Sequence, residues 1–156
     1  MSMPSQTRTD AGLSTALRVS VARLARRLRA QRADSSLSGT QIGVLGAIEK
    51  HGPMSPGELA DHEKVKPPSM TRVIAGLEER DLIQRAAHPT DRRQVVLAIT
   101  DTGKQTLRET RRMREAWLVK RLKELSPEER ATLRAAAPIL EKISQAEPAS
   151  GPSSAR

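Results

Sequence analysis

Cysteine, phenylalanine and tyrosine are all absent from this chain, and one tryptophan, Trp117, is the whole aromatic complement of its 156 residues. Without cysteine there is no disulfide framework, no cysteine-based zinc site and no thiol through which oxidants could be sensed. Without aromatics the core has to be assembled from Leu, Ile, Val, Met and Ala, which suits packed helices better than an aromatic-rich sandwich. Long apolar runs are also missing. None approaches the ~20 residues that a membrane-spanning helix requires, and the opening MSMPSQTRTD has no apolar centre of the kind a secretory signal carries. The expected location is therefore the cytoplasm, with no membrane partner. Catalytic signatures are lacking too: no Ser-His-Asp pattern on a strand-to-helix elbow, no glycine-rich phosphate loop, no paired carboxylates in an apolar setting. The three histidines, His51, His62 and His88, fall in separate loops or helix ends without carboxylates at ligand spacing. No enzyme, no metal and no cofactor are expected.

What the chain does have is positive charge. Lys and Arg outnumber Asp and Glu by 27 to 18, a formal net charge of +9, in a sequence that is 37% hydrophobic and 29% charged. That is enough apolar material for one modest core, with helices appended. The charge predicts a polyanionic partner held through phosphates and weakened by salt. By itself it does not separate DNA from RNA or from an anionic membrane surface.

The decisive stretch is 55–100. Ser55 with Glu58 forms a capping box that opens a short helix, in which Leu59 and Ala60 face inward; the pattern breaks over 62–66. A second helix opens at Pro67 or Pro68, where a missing N–H costs nothing. Met70, Val73, Ile74 and Leu77 mark its buried face at helical spacing. The opposite face carries Pro68, Arg72 and Ala75, flanked by Ser69 and Thr71. It is small, polar and basic near its start, as a helix entering a DNA major groove must be. Lys66, Ser69, Thr71 and Arg72 supply donors for phosphates or base edges, and the helix N-terminus is expected to add backbone amides. Leu82–Arg85 and Val95–Ile99 then read as paired strands. Between them His88-Pro89-Thr90-Asp91-Arg92-Arg93 makes a polar hairpin tip. A hairpin directly after two such helices is a wing.

In their order and spacing, Glu58-Leu59-Ala60, Ser69-Met70-Thr71-Arg72, Leu77-Glu78, Asp91-Arg92-Arg93 and the exit Ile99-Thr100-Asp101-Thr102-Gly103 resemble the winged helix-turn-helix of the MarR family of bacterial transcription regulators. The resemblance implies a recognition helix in the major groove and a wing arginine in the minor groove. On this sequence those roles fall to Arg72 and its neighbours and to Arg93, with Asp91 as the steadying carboxylate and Arg92 at a phosphate. Two departures stand out. Glu63-Lys64 occupies the turn where relatives commonly carry an apolar residue and glycine, and Asp81 stands where glycine often follows the recognition helix. Lys64 and Asp81 are therefore expected in left-handed backbone. Glu78 and Glu79 place acid at the distal end of the recognition helix, away from phosphate.

The flanks are helical. Residues 1–12 read as a flexible arm, 13–33 and 104–145 as a helical dimerisation region, 38–103 as the winged DNA-binding domain and 146–156 as a flexible tail. The first helix aligns Leu13, Leu17, Val21, Leu24 and Leu28, and six arginines with no acid occupy residues 13–32. Such a face is ordinarily solvated; the alternative is contact with phosphate or an anionic ligand. Ser38 with Gln41 makes another capping box. Thr100 or Asp101 starts a long helix with Leu107, Trp117, Leu118 and Leu122 inward. Ser126 starts the last, with Leu133, Ala137, Leu140 and Ile143 inward. These end helices carry more apolar surface than one module can cover, so Leu13, Leu17, Val21, Leu24, Trp117, Leu133, Leu140 and Ile143 are expected at a homodimer interface.

The expected fold is mainly α with a β wing, in the order α-α-α-α-β-β-α-α. The expected function is a sequence-specific, homodimeric regulator of transcription, a repressor by direction, on a pseudo-palindromic duplex site in the bacterial nucleoid. The resemblance also implies a small aromatic or anionic effector. The alternative is a sequence-tolerant architectural DNA binder, for which the net charge alone would suffice.

Overall fold

Side chains that satisfy free amides decide where most of the helices start. In the computed structural model, which describes residues 9–91 and 93–145, the elements run α1 (Asp10–Ala30), α2 (Gly39–His51), α3 (Pro56–Glu63), α4 (Pro67–Glu79), β1 (Ile83–Ala87), β2 (Val95–Ile99), α5 (Asp101–Lys123) and α6 (Pro127–Ser144). This is the expected order. Most of the expected arm, the expected tail and Arg92 lie outside the described residues. Ser38, Ser55 and Ser126 close reciprocal capping boxes with Gln41, Glu58 and Glu129. Thr100 Oγ1 accepts from the Gly103 amide at 3.0 Å and starts α5. Thr9 does the same for α1, accepting from Gly12 N–H at 3.1 Å. The first helix thus begins at Asp10 rather than Leu13: a threonine cap followed by acid favours a helix start, and Gly12 costs little in a first turn.

Two helices end in the same way. After α3, the Val65 and Lys64 amides donate back to Ala60 and Asp61 carbonyls at 3.0 and 3.2 Å. After α4, the Leu82 and Asp81 amides donate to Leu77 and Glu78 at 3.0 and 2.9 Å. Both are Schellman closures, which need one left-handed residue. Lys64 (φ 53°) and Asp81 (φ 56°) take it, as expected from the sequence. Leu82 is consumed by this exit turn, so β1 begins at Ile83 and not at Leu82.

β1 and β2 pair antiparallel from Ile83↔Ile99 to Ala87↔Val95. On its other edge β2 is tied to the linker before α3: Met54 and Leu97 exchange backbone hydrogen bonds of 3.1 and 2.8 Å. The wing root is therefore joined to the segment that leads into α3. The core is aliphatic, with Leu37, Leu45, Ile48, Leu59, Met70, Leu77 and Leu97 fully buried and Leu107 of α5 against them. The start of α5 comes so close to the exit of α4 that a Cβ on Gly103 would stand 2.2 Å from the Leu82 carbonyl oxygen. Thr100 adds a bond of 2.6 Å from its hydroxyl to the Asp81 carbonyl.

The chain divides into two compact units, up to Trp117 and from Leu118 onward. In the second, α6 runs through Pro138 and buries none of its residues. The stripe expected to face inward is uncovered by the chain itself: Leu133, Leu140 and Ile143 are 46%, 39% and 59% exposed, and Ala137 is exposed as well. Leu13, Val21 and Leu24 of α1 are likewise exposed, whereas Leu17, Trp117, Leu118 and Leu122 are half-buried. Among the described residues, no helix is long and apolar enough to cross a membrane.

Candidate nucleic-acid interface

The amphipathic pattern of α4 fixes which way it faces. Met70, Ile74 and Leu77 are buried and Val73 is half-buried, while Lys66, Pro68, Ser69, Thr71, Arg72 and Ala75 are exposed. Neither Lys66 nor Arg72 makes an ion pair among the described residues, so both cations are unspent. Thr71 is partly committed, donating its hydroxyl to the Pro67 carbonyl at 3.1 Å. One expectation fails here. The helix start does not offer free amides to a phosphate: Pro67 and Pro68 have none, and the Ser69 and Met70 amides both donate to the Lys66 carbonyl, at 2.9 and 3.1 Å. What the start of α4 presents outward is its side chains and the positive end of its dipole.

At the far end of α4, Glu78 is not a bare acid. It receives Arg85 of β1 in a two-point contact, Nε to Oε1 at 2.6 Å and Nη2 to Oε2 at 3.2 Å, and the pairing raises the Arg85 guanidinium above its ordinary range. The pair couples α4 to the first wing strand. Arg80 reaches back to the loop before α2, donating to Asp34 and Ser36 at 2.7 Å each.

The hairpin tip begins where the His88 amide donates to the Gln94 carbonyl at 3.1 Å. Asp91 is half-buried and Arg93 exposed. The Asp91 carboxylate accepts from the Arg93 amide at 3.0 Å; it steadies the backbone of Arg93, and the Arg93 guanidinium has no ion-pair partner among the described residues. His88 Nδ1 lies 3.3 Å from the Thr90 amide, 3.2 Å from the Asp91 amide and 3.2 Å from the Thr90 hydroxyl. At the start of α3, the Glu58 carboxyl is held below its ordinary value first by hydrogen bonds from Ser55 and, more weakly, by the His88 ring in its protonated form. The histidines are thus not all apart: His51 and His62 stack edge to face, with ring centroids 5.6 Å apart. No group of three or more metal-ligating side chains occurs among the described residues.

A second basic locus was foreshadowed in the sequence only on its α1 side. Arg29 of α1, Ile42 and Gly43 of α2, and Leu107, Thr110, Arg111 and Arg114 of α5 line one pocket. The Arg114 guanidinium is pushed down by burial and by the neighbouring cations Arg32, Arg29 and Arg111. Arg111 is engaged by Glu49, and Arg32 by the Leu37 carbonyl. Arg32 Nε is nonetheless buried without a partner. The arginine run of α1 hinted at such a place, but only the fold brings Arg111 and Arg114 to it from distant sequence, as the 83-residue span of the Arg114–Gln31 bond shows.

Two short helices joined by a left-handed turn, the second exposing a polar and basic face, followed by a hairpin with a basic tip, define a winged helix-turn-helix DNA-binding protein. The chain belongs to the MarR family of transcription regulators, a family of regulators and not of enzymes. Residues 37–95 match the MarR family model. The chain is 42% identical over 132 residues to the HTH-type transcriptional regulator Mb0904 of Mycobacterium bovis, covering 85% of this chain and 92% of that one. It is 35% identical over 106 residues to the HTH-type transcriptional repressor MdtR of Bacillus subtilis, covering 68% and 66%. The structure of a transcriptional regulator protein from Pseudomonas aeruginosa superposes with a TM-score of 0.77 at 33% identity, over 89% of this chain and 97% of that one.

Proposed function

We propose that the chain acts in the bacterial cytoplasm as a homodimeric repressor on a pseudo-palindromic duplex site. One observation carries the reading: α4 and the wing tip, on the same module, each expose an arginine without an ion-pair partner among the described residues, Arg72 and Arg93. Arg72 with Lys66, Pro68, Ser69 and Thr71 would read a major groove, where arginine grips guanine at two points. Arg93 would enter the adjoining minor groove, where narrowness concentrates negative potential, with Asp91 holding its backbone and Arg92 at a phosphate. The apolar stripes of α1 and α6 support dimerisation, which would set two recognition helices about one helical turn apart. Repression is supported by the similarity to a relative named as a repressor.

The arginine-lined pocket between α1, α2 and α5 favours a small anion, and an aromatic carboxylate also fits its Ile42 and Leu107 walls. Binding there would act as an effector that releases DNA, read as loss of the bound fragment when such acids are added.

Selection of bound fragments from a random duplex pool at about 150 mM salt, where nonspecific binding is suppressed, tests the reading. A two-fold symmetric motif is expected. Arg72→Ala and Arg93→Ala should each weaken binding to it by at least about 1 kcal/mol; unchanged affinity in both would sink the docking scheme. Binding at low salt with no enriched motif would favour the architectural alternative.

A further inference from the structure

The wing tip is held by a titratable side chain. Past the His88–Gln94 backbone bond no further ladder pair occurs among the described residues, and the first part of the loop gathers on His88 Nδ1, which faces two backbone amides at 3.3 and 3.2 Å. An amide N–H only donates, so Nδ1 must carry its lone pair and the ring must be neutral with its proton on Nε2. The Asp91 amide fixed in this way belongs to the residue whose carboxylate accepts from the Arg93 amide at 3.0 Å and whose carbonyl accepts from the Gln94 amide at 3.0 Å. A line of hydrogen bonds therefore runs from His88 through Asp91 to Arg93. In such turns the acceptor is ordinarily an Asn, Asp or Ser side chain. An imidazole does the same work but changes its charge between pH 5 and 8.

We propose that His88 is a positioning residue for Arg93 and makes specific DNA recognition acid-sensitive: neutral His88 ties the wing tip, and protonated His88 unties it. The proposal rests on the reading of Arg93 as the minor-groove residue. A protonated ring turns an N–H toward the two amides that it formerly accepted from, and all the tip bonds to Nδ1 that need its lone pair are lost together. Among the described residues, the charged group that bears on the ring from another element is Glu58 of α3, and Asp91 lies on the tip itself, its amide facing Nδ1.

The sign separates this from simple electrostatics. Protonating any of the three histidines adds positive charge, which by itself strengthens binding to phosphate as pH falls. An untied wing does the opposite to specific binding only.

The test compares the wild-type protein, His88→Asn and His88→Ala on the fragment enriched by the wild type and on a scrambled duplex, at about pH 7.5 and about pH 5.5. The side-chain oxygen of asparagine takes over the acceptor role and does not titrate. Expected are a fall of at least about threefold in wild-type affinity for the enriched fragment on acidification, unchanged or stronger binding to the scrambled duplex, His88→Asn near wild type at both pH values, and His88→Ala weak at both. Wild-type affinity that rises with acid for both duplexes, or His88→Asn as poor as His88→Ala, overturns the proposal. Nitrogen-15 spectra of the imidazole decide it without DNA: an unprotonated Nδ1 at about pH 7.5, with the Thr90 and Asp91 amides shifting as the ring titrates, is expected, and a protonated Nδ1 there overturns it. If no fragment is enriched at all, the functional reading fails, while the spectra still report on the tip.

Discussion

Lysine at position 64 and aspartate at 81 hold left-handed backbone that glycine ordinarily takes. The Schellman closures they sit in are complete, so the geometry is retained and the residue bears the strain. A left-handed L-residue costs roughly 1–2 kcal/mol from Cβ against the carbonyl oxygen, relieved in Asp by local hydrogen bonding. Lys64 is exposed and makes no ion pair among the described residues, so nothing offsets its cost. Lys64→Gly is therefore expected to raise unfolding stability by about 0.5–1 kcal/mol, and Asp81→Gly by less; urea titration of both variants measures the difference. A loss of stability in Lys64→Gly would mean that the lysine stem packs on its neighbours to better effect than the relief of strain. These positions were legible in the sequence because a helix-turn-helix leaves little choice of backbone between its helices. The partners of Glu78 and Arg80 were not. Arg80 and Asp34 stand 46 residues apart, and no local pattern foretells such a meeting.

At the scale of elements, the wing and α5 are mounted on the exit of α4. Glu78–Arg85, Thr100–Asp81 and Met54–Leu97 each bind one element to another, and Gly103 lets α5 start against the Leu82 carbonyl. Backbone lies opposite, and it cannot swing aside as a side chain would. Gly103→Ala is thus expected to destabilise the protein by about 1–3 kcal/mol, as overpacking does, with the shift of the denaturant midpoint as readout. A neutral result would show that the start of α5 is free to move. The same scale explains the failed expectation at α4. Two prolines give the helix a stiff start and remove two of the amides that would otherwise meet a phosphate. On the proposed reading, what remains for recognition is a short set of side chains centred on Arg72.

At the scale of the whole molecule, the exposed stripes are what one chain leaves unfinished. Ile139 and Ile143 are 60% and 59% exposed, with Leu133 and Leu140 beside them, on a helix that buries no residue of its own. Apolar stripes of this length are matched by a partner surface in stable proteins. Leu140→Glu would leave an unpaired carboxylate in such an interface and is expected to shift a dimer to monomer in sedimentation equilibrium, with affinity for a two-fold site falling alongside. A variant that stays dimeric at micromolar concentration would remove α6 from the interface.

The sequence by itself determined the elements, since helix starts at Ser38, Ser55, Thr100 and Ser126, the apolar period of α4 and the β-branched run of β2 act within a few residues. It also determined the regulator class, because the motif residues come at fixed spacing around one turn and one hairpin. Tertiary structure alone decided which charges remain unpaired. Glu78 is claimed by Arg85, Asp34 by Arg80 and Glu49 by Arg111, while Arg72 and Arg93 keep their guanidiniums free of ion pairs among the described residues. It alone placed Arg29, Arg111 and Arg114 around one pocket. Local propensity works over a turn of chain; electrostatic and hydrogen-bond partners are chosen by proximity in space, which only the packed core supplies.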